Sequence, residues 1–174
     1  VEAADFLREY SARAESPKRV RQLTELASSP GWERYRSPFF FGLTAYDDRF
    51  ESVQGYVEHH LETCSDELVL TTIKYLALVT RYSQSAMSLG LCCAILGVAD
   101  PTREALESRV GKAASKLILH RDGALRLLHP AIAEQVLWQR LGSETWMFGL
   151  KDLCLEFIDT VTGKLGADAA ETLR

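Results

Sequence analysis

Four histidines stand in this chain, and one of them occupies a place from which a ring can be aimed. His129 follows Ala124-Leu125-Arg126-Leu127-Leu128, an apolar run of strand length. It precedes Pro130 and an amphipathic segment with Ile132, Ala133, Val136, Leu137 and Leu141 on one stripe. Pro130 suits a first helical turn, because its missing N–H has no intrahelical partner there anyway. A histidine where a strand becomes a helix has its backbone fixed by both elements. Such an imidazole either presents an N–H to a ligand or is satisfied by a neighbouring backbone carbonyl.

Other candidate chemistry is thin. His59-His60 with Glu62 and Cys64 offers His60 and Cys64 at i,i+4, but two ligands do not make a metal site, and a solvated helix face is the expected reading. Asp47-Asp48 reads as turn and cap chemistry. The chain has no G-x-x-x-x-G-K-[ST], no G-x-S-x-G, no H-E-x-x-H and no paired Cys-x-x-Cys; Gly163-Lys164 lacks the pattern that precedes a phosphate-loop lysine. No catalytic residue and no metal ligand set is therefore expected, and the chain is not expected to be an enzyme by itself.

The elements that position His129 begin with a hairpin. Ser115 to Leu119 and Ala124 to Leu128 are its expected strands, joined by the loop His120-Arg121-Asp122-Gly123 with its Asp-Gly pair. Three helices are expected before it. Leu68 to Val79 is apolar almost all round and so deeply buried, and Ser85 to Val98 is a second such helix. The third starts at Asp100-Pro101, with Leu106, Val110 and Ala113 inward and Arg103, Glu104, Glu107 and Lys112 outward. Three helices followed by a hairpin is the order of a winged helix.

Upstream, Phe6, Leu7 and Tyr10 have helical spacing, and Ser16-Pro17 is a cap and first-turn pair for a helix with Val20, Leu23 and Leu26. Ser28-Ser29-Pro30-Gly31 breaks the chain. The basic stretch Arg34-Tyr35-Arg36 leads to Ser37, an expected cap for a helix beginning at Pro38. A helix with Phe50, Val53, Val57 and Leu61 on one face follows. After Gly142-Ser143, a last long helix is expected to bury Trp146, Leu150, Leu153, Cys154, Phe157, Ile158 and Val161. The sequence thus reads as mainly α, in three regions: a helical region 1–64, a winged helix 65–141, and a C-terminal helix 142–174 leading to a further helical region. Val1 is not an initiator methionine and Gly166 to Arg174 looks like the start of another element, so a piece of a longer protein is expected.

Bulk properties are those of an ordinary soluble domain. In 174 residues, 47% are hydrophobic and 25% charged, with a net charge of −4. That balance does not favour nucleic acid or an anionic membrane as a partner. The apolar run Ala86 to Ala99 is too short and too interrupted to span a bilayer. Cys92-Cys93, Cys64 and Cys154 do not form a disulfide framework and read as reduced core thiols of a cytoplasmic protein.

Two blocks resemble the STAND class of signalling NTPases, and within it the sterile-alpha-motif-domain-nine-like family. Leu128-His129-Pro130-Ala131-Ile132-Ala133 is similar to that family's Ile-His-Pro-Leu-Ile-Ala run. Lys74-Tyr75-Leu76-Ala77-Leu78-Val79-Thr80-Arg81-Tyr82, with Ser85 and Cys92 to Gly97, is similar to its winged-helix opening. Ser37 to Leu61 looks like the lid that joins the P-loop core to the winged helix. The resemblance spans roughly residues 37 to 141, and Pro130 stands where most of the class carries aspartate.

The resemblance implies a regulatory lid and winged-helix module that senses ADP or ATP held by the parent's P-loop domain. It would gate an effector in innate or antiviral defence. His129 would approach the β-phosphate of ADP, Pro38 would pack on adenine and Arg126 would face phosphate. Partners would be the module's own P-loop domain and helical repeats, with homo-oligomerisation on activation and no membrane contact. Read from the residues alone, Pro38 is a helix-initiating proline and Arg126 a solvated strand residue. Two other classes stay open: a winged-helix DNA-binding regulator, which the mixed outward charge of the third helix, Arg103, Arg109 and Lys112 against Glu104 and Glu107, disfavours, and a helical interaction scaffold.

Overall fold

The computed structural model describes residues 2–47, 50–83, 85–142 and 146–172; the expectations placed on Asp48 and Ser143 lie outside them. The described residues are mainly helical, with one small three-stranded antiparallel sheet. Two compact units are formed, Val1–Tyr56 and Val57–Arg174.

The first unit contains α1 (Glu2–Ser11), α2 (Pro17–Ser28), a single 3-10 turn at Glu33–Tyr35, α3 (Pro38–Tyr46) and the start of α4 (Val53–Leu61). Ser16 and Pro17 start α2 as expected, the Ser16 hydroxyl accepting the Arg19 N–H at 3.4 Å. Ser37 stands at the N-cap of α3, but its hydroxyl makes no cap bond and is buried without a partner. The fixed φ of Pro38 starts this helix instead. The core is aromatic: the Phe40 ring lies 5.1 Å from Tyr35 and 6.1 Å from Phe50, and Phe41 lies 5.5 Å from Phe6.

Two arginines pin this core. Arg19, almost fully buried, donates to the Phe50 carbonyl at 3.0 Å. Arg36 donates to the carbonyls of Leu26 and Ser29 at 3.2 and 3.1 Å, where α2 has run out of backbone donors. Part of the basic stretch is thus bound to the end of a helix rather than presented to solvent.

The second unit runs from the rest of α4 through α5 (Glu67–Tyr82), β1 (Met87–Ser88), α6 (Leu89–Leu96), α7 (Arg103–Val110), α8 (Lys112–Ser115), β2 (Ile118–Arg121), β3 (Ala124–Leu127) and α9 (Pro130–Leu141) to α10 (Trp146–Thr172). The sheet order is β1-β3-β2. As the sequence predicts, α5 is buried around most of its circumference, and it packs chiefly on α9. Asp66 starts α5 by accepting the N–H groups of Leu68 and Val69 at 2.9 and 3.2 Å. Within α5, the Thr80 hydroxyl accepts the Leu127 N–H at 2.9 Å, fastening β3 to the helix. Tyr75 reaches α10, donating to Glu156 at 2.8 Å.

Five expectations need correction. The helix expected from Ser85 starts at Leu89, because Met87 and Ser88 pair with Leu125 and Ala124 and satisfy the second edge of β3. Ser115 belongs to α8, divided from α7 by Gly111 at φ 90°. The hairpin loop is the two residues Asp122 and Gly123, at φ 53° and 73°, which leaves His120 and Arg121 inside β2. Finally, Leu153 alone of the expected α10 stripe is fully buried, Ile158 being 55% exposed, and Gly166 to Thr172 continues α10 instead of opening a new element.

Candidate functional site at the junction of β3 and α9

The junction is held from both sides. After β3, the Leu128 N–H donates to the Leu117 carbonyl at 2.9 Å and prolongs the ladder by one bond. His129 is extended, at φ −157° and ψ 145°, and its carbonyl accepts the first helical bond of α9 from Ala133 at 3.1 Å. Pro130 fills the first turn. The ring then folds back as the cap: Nδ1 accepts the Ala131 N–H at 3.2 Å. The sequence reading offered a carbonyl as the ring's local partner; the structure shows the Ala131 amide bonded to Nδ1.

That bond fixes the ring's proton. A nitrogen that accepts an N–H carries no hydrogen, so the neutral ring holds its proton at Nε2. His129 is half-buried, and loss of water around it pushes its pKa below the ordinary histidine value. At neutral pH the site is an uncharged Nε2–H donor with a set orientation, next to the N-terminus of a three-turn helix whose dipole favours anions.

The other two candidate residues lie elsewhere. Arg126 alternates away from Leu125 and Leu127 as expected and pairs with Leu119 across the sheet. Its guanidinium donates to the carbonyl of Ser83, just beyond α5, at 2.7 Å, with Nε buried and unpartnered. A cation at a helix C-terminus offsets the exposed carbonyl ends, so Arg126 serves α5. Pro38 is an exposed first-turn residue of α3 in the other compact unit.

The third expected helix also differs electrostatically. Arg109, counted among its outward charges, lies 2.6 Å from Asp66 Oδ2 and 3.4 Å from the Leu96 carbonyl. The guanidinium holds the Asp66 carboxyl below the usual aspartate range. Arg103 is engaged with Glu107 at 2.7 Å. The Asp66–Arg109 pair joins residues 43 positions apart, and nothing in local spacing announces it.

Cys64, Cys92, Cys93 and Cys154 are free thiols. Burial pushes Cys92 up to about 12, which leaves it unreactive at neutral pH. His60 is buried rather than on a solvated face. Among the described residues, no cluster of three or more His, Cys, Asp or Glu is placed to hold a metal, and no helix is long and apolar enough to cross a membrane. No family model matches the chain, and neither a curated protein nor a solved structure does.

Proposed function

We propose that the chain is a nucleotide-responsive regulatory module, the lid and winged helix of a STAND-class signalling NTPase. In this reading α5, α6, α7 and the β2–β3 hairpin with β1 form the winged helix. The order of elements and the β1-β3-β2 sheet support that assignment. The observation that carries the functional reading is the His129 cap, which fixes the neutral ring's proton on Nε2 at the start of α9.

ADP, held by the P-loop domain of the parent protein, would place its β-phosphate against that donor. A neutral N–H bonded to phosphate is charge-assisted and contributes roughly 1.5–3 kcal/mol. Such a bond gates a two-state protein only through its differential strength in the two states. Exchange of ADP for ATP then shifts the equilibrium if the closed arrangement fits the diphosphate better. The module itself performs no chemistry in this scheme; its partners are its own nucleotide domain, the following helical repeats and further copies on activation in the cytoplasm. Defence signalling is the context. A DNA-reading winged helix is less well supported, since Arg103 and Arg109 are both committed to carboxylates.

The test is calorimetry of ADP binding to the full-length parent, with His129 intact and with His129→Ser, which retains a capping oxygen. A loss of roughly tenfold to hundredfold in affinity with the fold retained is expected. Equal affinity, or a parent that binds no nucleotide, refutes the reading.

A further inference from the structure

A second histidine of the hairpin is in the opposite condition. His120 pairs with Leu125 across the sheet, and its Nε2 is buried with no hydrogen-bond partner. It lines a cavity of about 310 Å3 between α7, α8 and the hairpin. The wall beside it is apolar, made by Leu106, Val110, Ile118 and Leu125. Lys112 and Lys116 also line it, both exposed, and among the described residues neither ammonium is paired with a carboxylate. Arg103 and Glu107 also border the cavity but neutralise each other. The lining therefore combines an excess of positive charge with four apolar side chains.

A buried polar atom without a partner is costly, and native proteins keep few of them. The cavity sits at the small end of ligand pockets, and at roughly 30 Å3 per water it far exceeds the space one bridging water needs. We infer that it binds a small organic oxyanion: an apolar body on Leu106, Val110 and Ile118, with a carboxylate or phosphate group held by His120 Nε2–H, Lys112 and Lys116. A free inorganic anion would leave the apolar wall uncovered, and a neutral apolar molecule would leave Nε2 and the lysines unused. This site is independent of the nucleotide reading of His129.

The experiment is an NMR titration of the full chain, following the Val110 and Ile118 methyl groups and the His120 ring. Benzoate and phenyl phosphate are the probes, with benzamide and inorganic phosphate as controls. Saturable shifts are expected with one or both probes at millimolar concentrations. Preference between the two tells which headgroup the site takes. The exposed double change Lys112→Met with Lys116→Met should weaken the preferred probe roughly tenfold, the equivalent of one charge-assisted contact. His120→Leu, which fills the space with a residue needing no partner, should abolish probe binding while raising the melting temperature. Benzamide binding as well as benzoate, inorganic phosphate binding alone, or no shifts with any probe would each overturn the inference.

Discussion

The two ends of one hairpin treat a histidine in opposite ways. At the far end of β3, His129 gives its Nδ1 to the first turn of α9 and so helps hold the fold. In β2, His120 faces the interior beside Leu125 with an unsatisfied Nε2. The first ring is aimed because its backbone needs it there. The second is retained although the local fold gains nothing from its nitrogen. A satisfied polar group is evidence about stability first and function second; an orphaned one at the edge of a cavity points the other way.

The contrast can be broken or sharpened by substitution. The largest effect should come from Leu125, fully buried where β1, β2 and β3 meet. Leu125→Ala should cost roughly 3 kcal/mol in denaturant unfolding and disturb both histidine environments. Next comes the sign of the two histidine changes. His129→Ala removes a cap and should destabilise by about 1 kcal/mol, with His129→Ser recovering most of it. His120→Leu removes a buried unpartnered nitrogen and should stabilise by a similar or smaller amount. If both substitutions destabilise equally, the contrast fails.

Smaller still is a difference in pH dependence. The folded-state pKa of His129 is depressed, so its contribution is fully present above the unfolded value of about 6.5 and is lost as pH falls through the folded value. Unfolding free energy should therefore decline as pH falls below about 6.5, and His129→Ser should flatten that slope. The Asp66 carboxyl, lowered chiefly by its bond to Arg109, adds a separate loss below about pH 4 that Arg109→Met should reduce.

The sequence was legible wherever the signal was local. Helical periodicity found α5 and α9, Ser16-Pro17 located the start of α2, and the strand-to-helix junction picked out His129. It was less so where a distant partner decides. Met87-Ser88 looks helical in isolation and becomes a strand because β3, nearly forty residues on, offers an edge. Arg109 and Arg126 look like free surface cations until Asp66 and the end of α5 are brought beside them. His120 was hidden by a loop boundary: a four-residue loop places it at the surface, whereas the two-residue turn at Asp122-Gly123 carries it into the sheet and turns it toward the cavity. Pro38 and His129 belong to different compact units, so no local pattern relates them.

The proposed role of His129 depends on which ring nitrogen carries the proton and what that proton meets. A long-range proton–nitrogen correlation spectrum of the full-length parent at neutral pH, with and without ADP, reads both at once. Nδ1 should appear unprotonated and Nε2 protonated, with the Nε2 resonance moving on addition of ADP while Nδ1 stays in place. A proton on Nδ1, or an Nε2 resonance indifferent to ADP in a parent that binds it, would contradict the proposed role of this residue.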